Sequence, residues 1–319
     1  MDTQLKWHQQ IYLNFLWTLS LVVSHTPRFF RYCFLKSFIA SILMLVRYRK
    51  KVITQNLRNS FPDKSDKEIC KLRRSNYFFL AEVIVDTISL VGASESRKDS
   101  AVNWVNGEEI AERLNGKDWI AVSAHYGCWE YLPLWSRKQM YNTFMSVYHP
   151  LSNVVFDHFF QRLRKYSENI TTVPMKSTIT YYLRNRNKGK GIILGLLSDQ
   201  SPSLRADTHW FRFLNQNTAF IDGAESIATK FKIPILFAYT KRVAPGRYEV
   251  MLEEIYDGKE NVAQHEITQR YATRLEEMIR EQPALWMWSH KRWKHTPEAQ
   301  EQYFGKSTLE NRTNIPLHP

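Results

Sequence analysis

The 319-residue chain is 44% hydrophobic and 14% aromatic, long enough for one large or two modest domains with a sizeable core. Its 44 Lys and Arg outnumber 31 Asp and Glu, a net charge of +13 that calls for an acidic partner: anionic lipid, an acidic protein or nucleic acid. Cys33, Cys70 and Cys128, odd in number and widely spaced, exclude a disulfide framework and a zinc pattern and favour a reducing compartment.

Residues 1–61 hold one acidic residue, Asp2, against nine basic ones. Two apolar runs lie here, Ile11 to Val23 and Cys33 to Val46, separated by Pro27, Arg28 and Arg31. Both fall short of the ~20 residues that span a bilayer. We read the segment as membrane-seated. Either the first run crosses with help from its flanks, or both lie in the interface with Arg and Lys on phosphates. The cluster Arg47 to Lys51 (RYRKK) fits an anionic-lipid contact. If the first run crosses, the basic excess after it leaves the remaining chain in the cytoplasm. Ser60 to Asp63 is a break. The expected organisation is a basic, membrane-associated helical segment over 1–61 and an α/β domain over 62–319.

Ser65 to Leu90 reads as amphipathic core helix. Beyond Asp118, strand and helix signals alternate. Trp119 to Val122 is a short apolar run that reads as a buried strand, and the segment around Trp129 and Glu130 reads as a helix. Thr143 to Tyr148 is a strand ahead of His149-Pro150, and Val154 to Tyr166 is helical with Arg162 and Arg164. Thr171 to Pro174 is β-like, and Ser177 to Asn185 is helical. Ile192 to Leu197 is a strongly apolar strand with Asp199-Gln200 just past its end. Ile221 to Lys232 is helical, Ile233 to Thr240 and Tyr248 to Ile255 are strands, and Val262 to Arg280 is a helix. Alternating strands and helices predict a mostly parallel α/β sheet flanked by helices. The last stretch, PALWMWSHKRWK from Pro283 to Lys294, interleaves Trp with cations. It suits a headgroup-level contact, stacking on single-stranded nucleic acid, or a segment covering the core.

The chemistry concentrates at Ser123 to Glu130. His125 ends a strand, where an open α/β sheet binds its ligands, and Glu130 follows five residues later. Five helical steps turn about 500°, so the two side chains meet only if His125 precedes the helix, with Gly127 easing the turn. A carboxylate on one imidazole nitrogen fixes the tautomer and supports the charge the ring acquires on taking a proton. This predicts a general-base pair whose nucleophile is a substrate hydroxyl. His125, His149 and Asp199 all follow strands and belong on one sheet edge. Arg162 and Arg164 offer a phosphate contact there or a solvated helix face. Cys128 offers a rival thiol nucleophile or a small packed residue. Spacing signals no metal or redox cofactor.

Six blocks in order resemble the late acyltransferases of lipid A biosynthesis, the lauroyl and myristoyl transferases of Gram-negative bacteria. They are NLRNSFPD (Asn56 to Asp63), SAHYGCWE (Ser123 to Glu130), VYHP (Val147 to Pro150) with the later QRLRKYS, SDQ (Ser198 to Gln200), FLNQNTAFIDGAE (Phe213 to Glu225) and LWMWSHKRWK (Leu285 to Lys294). The resemblance implies a glycerolipid acyltransferase-like fold and O-acyl transfer from an acyl thioester, usually on acyl carrier protein, to a hydroxyl of a phosphorylated glycolipid. It places His125 as base and Glu130 as its orienter. Arg164 or Arg162 would contact an anionic group, Asp199 would have a positional role, and Gln200 beside it would bind substrate. It implies an anionic membrane surface as partner rather than nucleic acid, and the cytoplasmic side of a bacterial inner membrane. The family's usual Phe-Phe-Gly is Phe213-Leu214-Asn215 here, and its usual Tyr-Arg-Pro arginine is His149. Both departures bear on the acceptor. Acylation of another lipid, such as an amino-acid lipid or a different glycolipid, is the rival within the class. A non-catalytic basic binding protein is the rival outside it.

Overall fold

The computed structural model describes residues 5–165 and 167–305. The first part of the chain is helical: α1 (Trp7–His25), a π-helical stretch (Phe30–Leu35), α2 (Lys36–Leu45), α3 (Lys50–Ser60), α4 (Asp66–Leu90) and α5 (Glu95–Ala101). Then come β1 (Val102–Trp104), α6 (Gly107–Arg113), β2 (Trp119–Ser123), a 3₁₀ segment (Trp129–Lys138), β3 (Asn142–Tyr148), α7 (Val154–Leu163) and β4 (Ile170–Pro174). The rest is α8 (Thr178–Asn185), β5 (Gly191–Leu197), β6 (Trp210–Phe213), β7 (Gln216–Ala219), α9 (Gly223–Phe231), β8 (Ile235–Ala244), β9 (Arg247–Tyr256), α10 (Glu266–Glu281) and α11 (Pro297–Phe304). The expected end of the α7 helix at Tyr166, and the expected domain end at 306–319, lie outside the described residues.

The main sheet has seven strands in the order β1-β9-β8-β2-β5-β3-β4, and β8, β2, β5, β3 and β4 are mutually parallel. The mostly parallel α/β expectation holds. Two departures have local causes. Ala244-Pro245-Gly246-Arg247 is a tight turn rather than a crossover, so β9 runs antiparallel to β8. β1, too short to register as a strand in sequence, adds to the edge of β9.

The central strands are buried on both faces, which is why they read as continuous apolar runs. Side chains alternate between two cores. Ile120, Val122, Leu194, Ile235 and Phe237 pack with α3, α4, α9 and α10. Trp119, Phe144, Ile193, Leu236 and Leu252 pack with α1, α6, α7 and the 3₁₀ segment. α4 starts where its sequence dictates: Ser65 Oγ accepts from the Glu68 N–H, and Glu68 Oε2 accepts from the Ser65 N–H at 2.8 Å, a reciprocal cap.

Among the described residues no helix is long and apolar enough to cross a membrane. The first segment instead lies against the body, with Leu13 in one core and Ile53 and Leu57 in the other. Two apolar stripes remain outward. Ile11, Phe15, Leu19 and Val22 are exposed along α1, and Phe30, Phe34, Phe38 and Ile42 along the π-helical stretch and α2.

The Trp-rich tail is not a headgroup contact. Trp286 and Trp288 are buried, Trp288 with no exposure at all, and they stack edge-on at 4.8 Å within the core. The sequence pattern misled because indoles interleaved with cations suit an interface and a core-covering strap equally well.

Candidate active site

β2 and β5 are neighbours, with Ser123 paired to Leu197. His125 and Asp199 each stand two residues beyond that pair, so strand register alone brings them side by side at the carboxyl edge. His125 Nδ1 lies 2.7 Å from Asp199 Oδ1. Trp286 Nε1–H donates to the other carboxylate oxygen at 2.8 Å. Asp199 is 3% exposed. Burial pushes its carboxyl up, but the His125 charge and the hydrogen bonds from His125 and Trp286 outweigh it and hold the carboxyl below the usual range. An ionised Asp199 accepts only, so a neutral imidazole there carries its proton on Nδ1 and keeps its lone pair on Nε2. Gln200 Nε2 lies 3.3 Å from His125 Nε2.

The carboxylate on the imidazole is therefore Asp199, not Glu130 as the five-residue spacing suggested. Glu130, 4% exposed, is taken by Arg164: Nε donates to Oε2 at 2.9 Å and Nη2 to Oε1 at 2.5 Å. Local spacing saw only the acid near in sequence, whereas the ring's partner arrives 74 residues later through sheet register. Between the two, Trp129 packs edge-on against His125 at 5.1 Å.

The tail straps this turn in place. Gly127 N–H donates to Leu285 O at 3.1 Å, and Met287 N–H to His125 O at 3.1 Å. Gly127 has φ +59, and a Cβ there would come within 2.9 Å of the Tyr248 ring, so both conformation and space require glycine. His290 also belongs to this edge. Its Nε2 accepts from the Ser201 N–H at 3.2 Å, and burial pushes its pKa down to about 4, so it is neutral at pH 7. Trp286 and His290 were visible in sequence only as parts of a Trp-rich tail.

The two arginines part company. Arg164 joins Glu130, while Arg162 is exposed, its guanidinium 4.0 Å over the Trp17 ring of α1. His149 is exposed at the end of β3, its Nδ1 at 2.9 Å from Pro150 O, and it is not drawn into the cluster. Leu214 and Asn215, in place of Phe-Gly, form the β6–β7 turn with φ +48 and +63. Asn215 Nδ2 donates to Ser60 O at 3.0 Å, so this departure concerns a hairpin tip packed on α3.

Cys128 is buried, and burial pushes its thiol well above the ordinary range, with the Asp86 and Glu130 charges adding to the effect. A buried neutral thiol is a poor nucleophile. Cys128→Ala is expected to keep acyl transfer within a few-fold of wild type in a product-mass assay. Loss of turnover in a folded variant would reinstate the thiol.

An apolar cavity opens beside the His125 turn, with about 630 Å³ of empty space including its mouth. Small residues on successive strands hollow the sheet face. Ser146, Gly195 and Ala121 stand in one register row on β3, β5 and β2, and Ala238 pairs with Leu252 across β8 and β9. A Cβ on Gly195 would come within 2.5 Å of the Phe144 ring. The lining residues come from β3, β5, β2, β8 and β9, five strands whose four gaps of about 4.8 Å spread them over ~19 Å of the sheet face. That is the length of an extended chain of about 15 carbons on C–C bonds of roughly 1.5 Å. Glu130 and Arg164 stand at one end, and Trp104 and Trp135, 4.7 Å apart, close the other.

An imidazole with a fixed tautomer at a sheet edge, next to a long apolar trench, can activate a hydroxyl against the head of a chain lying in that trench. A comparison with curated proteins finds no match. Residues 2–295 match the bacterial lipid A biosynthesis acyltransferases, and the chain belongs to that acyltransferase family.

Proposed function

We propose that this protein sits on a membrane and transfers a fatty acyl chain from a thioester on acyl carrier protein to a hydroxyl of a phosphorylated lipid A precursor. The observation that carries the reading is the His125–Asp199 pair beside the apolar trench. The acceptor hydroxyl approaches Nε2 in place of Gln200, and its oxygen attacks the thioester carbonyl carbon while Nε2 takes the proton. The C–S bond breaks as the ester forms, and the departing thiolate takes the proton from the imidazolium. Asp199 orients the ring and supports its transient charge. The Glu130–Arg164 pair fixes the mouth of the trench and, through Trp129, the face of the ring.

The outward stripes of α1 and α2 and the excess of cations favour a helical segment lying in the interface of an anionic membrane. We place it on the cytoplasmic face of the bacterial inner membrane, with no nucleic-acid role. The cationic surface would steer an acidic carrier protein to the site.

The test uses full-length wild-type and His125→Ala protein in membranes, carrier protein charged with acyl chains of graded length, and a lipid A precursor bearing a free hydroxyl. The expected result is one added acyl chain with wild type alone and a fall in transfer beyond about 15 carbons, the span of the trench. Equal transfer by His125→Ala would remove the base. No transfer by wild type to this acceptor, with transfer to another lipid, would move the acceptor and keep the chemistry.

A further inference from the structure

On the other side of the 3₁₀ segment lies a second cavity of different character. Glu130 and Leu132 of that segment face the apolar trench, while Tyr131 lines a pocket of about 500 Å³ including its mouth. Five cations line this pocket: Arg28, Arg31, Arg97, Lys98 and Arg247. No carboxylate is among its lining residues. The residues come from the end of α1 and the π-helical stretch, from α5 and from the β8–β9 hairpin, so the fold gathers them from three separate parts of the chain.

The cations are incompletely matched. Arg31 is 6% exposed. Its Nη1 donates to Ser24 O at 2.8 Å and Thr26 O at 2.9 Å, while its Nε is buried without a partner. Arg97 Nη2 donates to Ser89 O at 2.6 Å, and its Nη1 to Ser24 O, carbonyls rather than carboxylates. Burial, and then the neighbouring Arg31 charge, lower the Arg97 pKa. Arg28 donates to Pro245 O at 2.7 Å. Glu95 serves Lys98 and Arg137 rather than the four pocket arginines, and Asp86 accepts from Tyr32 at 2.5 Å with burial pushing its pKa up to about 7. Partly buried guanidinium groups without counter-ions are costly, and a multiply charged anion relieves that cost through forked, charge-assisted hydrogen bonds.

The surroundings select the kind of anion. Arg28 stands at the corner between the two outward apolar stripes, after Val22 and before Phe29 and Phe30, which are themselves exposed. An apolar surface bordering a cationic pocket matches the depth profile of a lipid, with tails beside the stripes and headgroup in the pocket. We infer that this pocket is a second site, separate from the acyl-transfer centre, that binds the phosphomonoester headgroup of a membrane lipid. The lipid assignment rests on the membrane-seated reading above. The anion site itself rests on the pocket alone.

The test measures binding of full-length protein to phosphatidylcholine vesicles, and to the same vesicles doped to equal surface charge with phosphatidic acid or with phosphatidylglycerol. Wild type is expected to prefer phosphatidic acid by about tenfold, the effect of one charge-assisted hydrogen bond. Arg28→Gln/Arg247→Gln, both on exposed side chains, is expected to lose that preference while keeping its melting temperature and its binding to phosphatidylcholine. His125→Ala is expected to keep the preference. Equal binding of wild type to the two anionic vesicles would overturn the lipid assignment, and a preference that survives in the double arginine variant would overturn the site. If inorganic phosphate raises the melting temperature of wild type but not of the double variant, while the vesicles show no preference, the ligand is free phosphate and the lipid assignment falls. A failed transfer assay with an intact phosphatidic acid preference would sink only the proposed function, and the converse only this site.

Discussion

Asp199→Asn is expected to lower the acyl-transfer rate by about two to four orders of magnitude, the usual range for losing a positioned general base. The substitution keeps size and shape, so the Trp286 hydrogen bond and the fold should survive. What changes is the proton. The carboxylate accepts Nδ1–H from His125 at 2.7 Å. An amide there can donate instead, which favours the tautomer with Nδ1 bare and Nε2 protonated, and Nε2–H cannot accept from a hydroxyl. Substrate affinity should change little, because Asp199 is buried behind the ring, so the loss should fall on kcat rather than KM.

Stability gives an independent reading of the same pair. The folded Asp199 pKa is lowered, so its contribution is present above the unfolded carboxyl value of about 3.9 and is lost as pH falls towards the folded value. Denaturant midpoints of wild type and Asp199→Asn should therefore differ at pH 7 and converge in acid below about pH 4. A margin that is flat with pH would mean the carboxylate is not stabilised in the fold. Wild-type kcat in Asp199→Asn would mean that another group orients the ring.

How much of this was legible in the sequence follows from what each signal measures. The buried strands announced themselves because Trp119 to Val122 and Ile192 to Leu197 are unbroken apolar runs, and such runs place the sheet and its carboxyl edge. His125, Asp199 and Gln200 were thus put on the right edge from strand ends alone. Their pairing was not legible, since Ser123 facing Leu197 is a statement of register, and register is set by packing across the sheet rather than by spacing along the chain. Spacing along the chain points to Glu130, the acid nearest in sequence, but the 3₁₀ segment turns its side chain to Arg164. Arg162 and Arg164 could not be separated because neighbouring positions on one helix end differ only in where the helix stops. α7 ends at Leu163, leaving Arg162 over Trp17 and Arg164 turned to Glu130. The cationic pocket was invisible for the same reason as the pair: Arg31, Arg97 and Arg247 become neighbours only after folding. Four of the six motif blocks cover the strand ends and the strap, while NLRNSFPD and FLNQNTAFIDGAE fall on the end of α3 and on the β6–β7 hairpin, which Asn215 ties together through Ser60 O.

Breaking the Glu130–Arg164 pair from one side should destabilise the fold by about 3–5 kcal/mol, the usual cost of stranding a buried charge. Arg164→Ala leaves the Glu130 carboxylate, 4% exposed, without either of its two donors. A drop in denaturant midpoint reports this directly. Glu130→Leu/Arg164→Met removes both charges, and since buried pairs often exchange for apolar groups at little cost, most of that stability should return. Turnover should not return with it. The pair holds the 3₁₀ segment that carries Trp129 against His125 at 5.1 Å, and a shift of about 1 Å at a reacting group costs ~10²-fold. The pH-rate profile separates positioning from direct action. If Glu130 acts only through Trp129 and the trench wall, the acid limb of the profile stays where wild type has it, because His125 and Asp199 still set it. A shifted limb in the double variant would show that Glu130 acts on the imidazole itself, as its five-residue spacing suggested. Full turnover in the double variant would reduce the pair to a structural tie.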